Sequence, residues 1–316
     1  MTPLRIFIAG ASGTLGRRLV PQLVARGHHV IGTTRSRADE LRALGAEPLV
    51  VDPLDAAAVR DAVLAAQPDV VVHQLTALSG LGMERNFDKA FAMTNRLRTE
   101  GTDHLIAAAR AAGARRLVWQ SYAGWPYARE GATLKSEDDP LDPDPPADAR
   151  ESLAAIRHLE SAVLDSGMEG VVLRYGGFYG PGSSLEPGGA HLELIRKRRF
   201  PLGDGGTGIW SFVHLDDAAA ATVAAIEGDA TGVFNIVGDD SAPIADWLPA
   251  LARQLGARPP RRLPGWLVRL AGGAQAHSMM TRTRGASNAK AKRLLGWHPA
   301  HTLLGSVDPD SVGREV

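Results

Sequence analysis

The chain contains no cysteine, and that absence removes three kinds of chemistry at once. There is no disulfide, no thiolate metal site and no cysteine nucleophile. A cysteine-free chain fits a cytoplasmic protein, and that is the expected location. Charge of one sign is also lacking, since 35 Lys and Arg balance 35 Asp and Glu. A polyanion meets no global attraction, and without a basic stripe interleaved with aromatics nucleic acid is not an expected partner. Long hydrophobic runs are missing too. No stretch is long enough to span a bilayer, and MTPLRIFIAG lacks the apolar core of a signal peptide, so no membrane association is expected. No GxSxG elbow supports a hydrolase, and no His/Asp/Glu grouping has metal-ligand spacing, so no metal is expected. What remains is an ordinary globular composition of 316 residues, 44% of them hydrophobic, with 35 glycines.

Short apolar runs alternate with helical patterns from the start. Residues 4–9 read as a strand, followed by a helix over 14–26 with Leu15, Leu19, Leu23 and Val24 at helical spacing. A second strand over 28–33, a short helix over 39–44 closed by Gly45 and a third strand over 48–51 follow. The rhythm continues with a helix over 56–66, the strand 69–74, one long helix over 94–112 and a strand over 116–121. Strands alternating with helices imply right-handed crossovers and a doubly wound parallel sheet, an α/β Rossmann fold. The stretch 129–150 mixes acids with prolines and reads as a long, solvated surface loop. A helix over 151–166, the strand VVLRY, sheet-like SFVHL and GVFNIVG, and the helix 216–227 between the last two complete the pattern. The expected organisation is a dinucleotide-binding domain of residues 1–175 with about 211–238. A smaller, interleaved C-terminal substrate lobe would take 176–210 and 239–316.

Between the first strand and its helix lies Gly10-Ala-Ser-Gly13-Thr-Leu-Gly16, which includes Ser12, Thr14 and Leu15. Glycines let a backbone turn tightly and approach a pyrophosphate, while the helix that follows presents free N–H groups and its positive end. The spacing is GxxGxxG, and the position between strand and helix is what gives it meaning. NAD sites usually place an acid at the end of the second strand to grip the ribose 2′-hydroxyl; here that strand runs into Thr33-Thr34-Arg35-Ser36-Arg37. Arg35 and Arg37 suit a 2′-phosphate, so NADP(H) is expected in preference to NAD(H). The alternative is that they are solvated loop charges. Asp52, ending the third strand, is read either as a hydrogen-bond partner of adenine or as a cap on the turn before Pro53.

With these motifs in place, the chain resembles the extended short-chain dehydrogenase/reductase family, including its NAD-dependent epimerase/dehydratase group, over nearly its whole length. GASGTLG is similar to the family's glycine loop. VVHQLTAL, with Gln74, Leu75 and Thr76, resembles the fourth-strand segment beside the cofactor, and TNRLRTEGTDHLIAAAR resembles the asparagine-bearing helix, with Asn95 as the asparagine. LRYGGFYGPGSS resembles the segment near the nicotinamide, which implies cofactor contacts from Tyr175, Gly177 and Phe178. FVHLDDAAAA and AKAKRLLGWHP match later family segments. The resemblance further implies a small-molecule substrate and a homodimer built through the helices 94–112 and 151–166.

The family's tyrosine, followed four residues on by lysine, is missing. Tyr122, Tyr127, Tyr175 and Tyr179 are followed at that distance by Pro126, Gly131, Tyr179 and Ser183. Aligning through Glu160 puts Ser152 and Ile156 where the pair belongs. Ser121 or Tyr122 occupies the position of the family's assisting serine, and Tyr122 or Tyr127 is a candidate substitute proton donor. An unassisted phenol, with a pKa of about 10, suits an acid better than a base. The same tyrosines are read alternatively as pocket lining. His158 and His191 are open candidates, whereas His214 is read as organising a strand end. Three functions follow: an atypical NADP(H)-dependent oxidoreductase or epimerase on a small hydroxy or carbonyl substrate, a non-redox dehydratase, isomerase or cyclase, and a non-catalytic NADP(H) sensor.

Overall fold

Apolar side chains fill both faces of the early strands, which forces those strands into the interior of a covered sheet. In β1 (Arg5–Ala9), Ile6 and Ile8 enter one core and Phe7 and Ala9 the other. The split recurs in β4 (Val70–His73), where Val70 and Val72 join the isoleucines and Val71 opposes them. The computed structural model, which describes residues 2–78 and 85–305, adds β2 (His29–Thr34), β3 (Glu47–Val50) and β5 (Arg116–Tyr122). With the strands Glu169–Tyr175 and Gly232–Ile236 they form one seven-stranded sheet. Its order is Gly232–Ile236, Glu169–Tyr175, β5, β4, β1, β2, β3, with every pairing parallel. This is the expected doubly wound fold.

The α-helices among the described residues are α1 (Gly16–Ala25), α2 (Ala38–Ala43), α3 (Ala56–Ala66), α4 (Phe87–Arg98), α5 (Glu100–Ala111) and α6 (Arg150–Leu164). They continue with α7 (Ala190–Arg196), α8 (Leu215–Glu227), α9 (Ile244–Gln254), α10 (Gly265–Thr281) and α11 (Ala289–Leu295). Leu19 and Leu23 of α1 and Ala218 and Ala221 of α8 cover the Ile6 and Ile8 face. Val63 of α3, Leu105 of α5 and Leu159 of α6 cover the other. A separate core gathers Leu192, Trp247, Leu251 and Val268 from the later helices around Phe212.

Three expectations need correction. The long helix over 94–112 is two helices, and the first starts earlier, at Phe87, where the Asn86 side chain accepts from the Lys89 N–H at 3.0 Å. They part at Thr99, whose φ of −97° and ψ of −83° leave the helical region while its hydroxyl donates to the Asn95 carbonyl at 3.0 Å. SFVHL does not join the central sheet; Phe212–His214 pairs with Gly177–Tyr179 in a sheet of two strands. The acidic stretch over 129–150 is no freely solvated loop. Leu134–Lys135 pairs with Gly285–Ala286, Lys135 is buried against the Glu130 carbonyl and Asp139, and Arg129 bridges Asp142 at 2.7 Å. Charges that read as solvated from composition are consumed in holding the segment down.

The C-terminal end of the described chain is clasped to α8. Asp217 accepts from the Ala300 and His301 N–H groups, each at 3.1 Å, and its carbonyl accepts from the Trp297 indole at 2.9 Å.

Candidate active site

Strand order reverses between β1 and β4, and a crevice opens at their C-terminal ends. Gly10 turns the chain there with φ of +91°, and a Cβ on it would stand 2.7 Å from the Gln74 carbonyl oxygen. Only glycine allows that approach. Gly16 packs the start of α1 onto the loop, because its Cβ would lie 2.3 Å from the Ala11 carbonyl oxygen. Between them Gly13 is exposed, its N–H donating to the Gly10 carbonyl at 3.0 Å, while Thr14 is half-buried and Leu15 buried. Leu15 is the N-cap of α1, and no side chain caps the helix. The Arg17 and Arg18 N–H groups donate to the Gly13 and Leu15 carbonyls, each at 3.0 Å, and the positive helix end is left to an anion without a competing side chain.

Hydroxyls tie this loop to the end of β2. The Gly10 N–H donates to Thr33 Oγ1 at 3.2 Å and the Ser12 hydroxyl to Thr34 Oγ1 at 3.0 Å. Thr34 Oγ1 also accepts from the Ser36 and Arg37 N–H groups, folding the tip that carries Arg35 and Arg37. Both arginines are exposed; Arg37 lies 3.8 Å from Glu40, and Arg35 has no partner among the described residues. Asp52 accepts from the Leu54 N–H at 3.0 Å, so it does close the turn around Pro53. Beside it Thr33, Val51 and Pro53 meet the core residues Phe7, Val59 and Leu105 around a void of about 10 Å³, room for little more than one water.

The catalytic candidates separate into two environments. Ser121 is buried and donates to Glu160 at 2.7 Å; Glu160 in turn holds Arg174 with both oxygens, at 2.8 and 2.6 Å. Arg174 donates to the Tyr127 hydroxyl at 2.8 Å, and that hydroxyl donates to Asn235 Oδ1 at 2.7 Å. Burial raises the Tyr127 pKa against the opposing pull of the Arg174 charge. Ser121 and Tyr127 thus serve one buried network and present no free hydroxyl to the crevice. Tyr122 is half-buried beside Trp125, in an apolar cluster with Leu153 and Ile156. Burial pushes its hydroxyl up to about 12, partly offset by the Arg98 charge. Tyr175 lies in the core under α8 with its hydroxyl 2.6 Å from Thr222, so it supports Phe178, 5.4 Å away between ring centres, and is shut off from the crevice. Gly177 and Phe178 are half-buried, as is Leu75, whereas Thr76 is exposed.

Ser152 and Ile156, which alignment through Glu160 puts where the pair is expected, are fully buried. The Ser152 hydroxyl donates to Asp88 at 2.7 Å and accepts from Asn95 Nδ2 at 3.0 Å. Around this end of the sheet several buried polar atoms have no partner among the described residues: Gln74 Oε1, His73 Nδ1, Asn95 Oδ1 and Arg98 Nη1. Desolvation holds His73 down to about 4, so it is neutral at pH 7, with Nε2 3.2 Å from the Leu97 carbonyl. Buried polar groups are usually hydrogen-bonded, so each of these calls for a partner.

The histidine candidates lie elsewhere. His158 is exposed on Asp103, and His191 is bonded to Ser184 at 2.6 Å. His214 accepts from the Asp216 N–H and caps α8, as its place at a strand end suggested. Together with Asp216 and His301 it forms a trio with ligand atoms within 4.8 Å, which distance along the chain concealed. Those atoms are engaged, with Arg18 on Asp216 and Asp217 on His301, and the two imidazoles stack at 4.0 Å.

The sequence profile of the NAD-dependent epimerase/dehydratase family matches residues 6–237. This chain belongs to that family. A relative within reach of the epimerase/dehydratase chain is a 3-diazoavenalumate denitrifying reductase from a Streptomyces species, 47% identical over 315 residues, 99% of this chain and all of that one. A 2-alkyl-3-oxoalkanoate reductase of Stenotrophomonas maltophilia is 32% identical over 237 residues, 72% of this chain and 67% of that one. In fold the chain is similar to the UDP-glucose 4-epimerase of Thermotoga maritima, with a TM-score of 0.76, 19% identity and 96% of each chain covered. It is thus an enzyme of the oxidoreductase and epimerase kind. The nicotinamide dinucleotide that the family's name implies fits the Gly10 cradle, the uncapped start of α1 and the unpartnered Gln74 Oε1.

Arg98 escaped sequence reasoning because it reads as one more cation on a polar helix end. Its burial follows from the break at Thr99, which no spacing announces.

Two substitutions test this geometry. Gly10→Ala should leave the circular dichroism spectrum unchanged and weaken dinucleotide binding at least tenfold by fluorescence titration. Tyr127→Phe should cost about 1–3 kcal/mol in urea unfolding, because Arg174 and Asn235 each lose a partner, with kcat within twofold of the parent; a large loss of kcat would place that hydroxyl on the substrate.

Proposed function

We propose that this protein is an NADPH-dependent reductase that removes nitrogen from a diazo-bearing aromatic substrate, replacing it with hydrogen. The observation that carries the reading is the missing proton-transfer pair, whose positions are taken by the sequestered Ser152 and Ile156. It is supported by the full-length likeness to a denitrifying reductase. Reduction of a carbonyl creates an alkoxide that an acid must protonate. Removal of nitrogen from a diazonium carbon creates no such charge. The C–N bond breaks with its electron pair leaving in neutral N2, and the pair of a hydride forms the new C–H bond. When bound, NADPH supplies that hydride.

The chain's own residues then have binding and orienting roles. Gly10, Ser12, Gly13, Thr14, Leu15 and Gly16 hold the pyrophosphate through the close backbone approach that the glycines allow and the positive end of α1. Arg35, without a partner among the described residues, and Arg37 take the 2′-phosphate, and Asp52, exposed just past β3, receives the adenine. Gln74, Leu75 and Thr76 line the middle of the cofactor, and Gly177 and Phe178 flank the nicotinamide. Asn95 borders the same end of the sheet. Tyr122, held protonated far above neutral pH, is a wall and a hydrogen-bond donor rather than a base. The lobe of 176–210 and 239–316 completes the substrate pocket.

Incubation with NADPH and an ortho-diazo-oxide of a phenol should release N2 and consume NADPH in a 1:1 ratio, read by mass spectrometry and absorbance. NADPH consumption with a carbonyl substrate, and none with the diazo compound, would instead favour reduction assisted by Tyr122. Arg35→Ala should weaken NADPH binding about tenfold, in line with the loss of a charge-assisted hydrogen bond of roughly 1.5 kcal/mol, and leave NADH binding unchanged.

A further inference from the structure

We infer that Arg98 is the anion-binding residue of this site, its guanidinium receiving an anionic oxygen carried by the aromatic substrate. The inference rests on the reading that this crevice binds an aromatic substrate, and it names the group that recognises it. Arg98 ends α4 and is 7% exposed, yet it has no hydrogen bond or ion pair among the described residues, and its Nη1 is buried without a partner. A buried cation without a counter-charge is costly, so such a group is usually paired or serves a ligand.

Among the described residues no uncommitted anion faces it. Glu160 is the carboxylate whose field reaches Arg98, and both Glu160 oxygens are already committed to Arg174, with Ser121 on one of them. The remaining electrostatic neighbours, Tyr122 and His73, are neutral at pH 7. Burial lowers the Arg98 pKa only to about 10, so the charge persists. The group that pairs with it must therefore come from outside the described chain.

Position and surroundings say what carries that anion. Arg98 lies one helical turn beyond Asn95, whose Oδ1 also has no partner among the described residues, and both belong to the helix packed on α6. Tyr122, the residue that feels its charge, is 6.5 Å from Trp125 between ring centres, and Phe87 meets Trp125 edge-on at 5.1 Å. A cation set beside aromatic and aliphatic walls suits a flat ring bearing a negative oxygen. For a diazo arene with an oxygen anion in conjugation, drawing that charge toward a guanidinium leaves the ring more electron-poor and a better hydride acceptor.

Calorimetric titration of the NADP-saturated protein tests the assignment with three inert probes: 4-nitrophenolate at pH 8.5, benzoate, and neutral benzamide. At least one anion should bind tenfold or more tighter than benzamide, and which one does distinguishes a phenolate from a carboxylate. Arg98→Gln should abolish that preference, Arg98→Lys should keep part of it, and NADPH affinity should stay within twofold. Should the Gln variant fail to fold, Arg98→Met keeps the side-chain length and apolar packing for the same comparison. Unchanged anion binding in the variant, no preference in the parent, or an equal loss of NADPH affinity would overturn the inference. Because no turnover is read, failure of nitrogen release sinks the proposed reaction without touching this result.

Discussion

The ion pair between Glu160 and Arg174 is the joint on which the chemistry-bearing half of the molecule is assembled. It fastens α6 to the strand Glu169–Tyr175, and through Ser121, Tyr127 and Asn235 it reaches β5, the segment after it and the last strand of the sheet. Charges so deeply buried are tolerable because both carboxylate oxygens and all three guanidinium nitrogens have a hydrogen-bond partner. Removing one member would strand the others, which is why two hydroxyls that read as catalytic from their place in the chain serve structure instead. Among the described residues the same joint leaves Arg98 without a counter-charge, since the carboxylate whose field reaches it is already spent.

The sheet was legible because its signal is local and repeated. Strands buried on both faces must be apolar throughout, so runs such as Ile6–Ile8 and Val70–Val72 declare themselves, and the glycine loop between β1 and α1 locates the crevice. The cofactor end was legible for the same reason. Gly10 and Gly16 are required by contacts to Gln74 and Ala11, and sequence patterns retain such requirements.

The catalytic end was much less legible. Tyr127 and Tyr122 stand five residues apart, yet one hydroxyl faces Asn235 and the other lines an apolar cluster with Ile156. Nothing in composition or period decides which way each turns. Arg98 is buried by a helix break at Thr99 that costs one residue of regular geometry, and the acidic stretch before α6 is pinned by Lys135 and Arg129 through contacts with segments more than a hundred residues away or just beside it. Long-range pairing consumes charges that, read in sequence, look free.

The clasp of Asp217 on residues 300 and 301 has a consequence for how the molecule is made. β1, β2 and β4 can pair as soon as the first seventy or so residues have left the ribosome, in keeping with folding that proceeds from the N-terminus during synthesis. The start of α8 cannot be completed until the chain has been made nearly to the end of its described part, because Asp217 waits for partners 83 and 84 residues later. A nascent chain therefore passes through a stage in which the dinucleotide crevice is formed while the edge beside His214 is open. In that interval the cofactor itself, by binding the finished half, can act as a folding template for the rest.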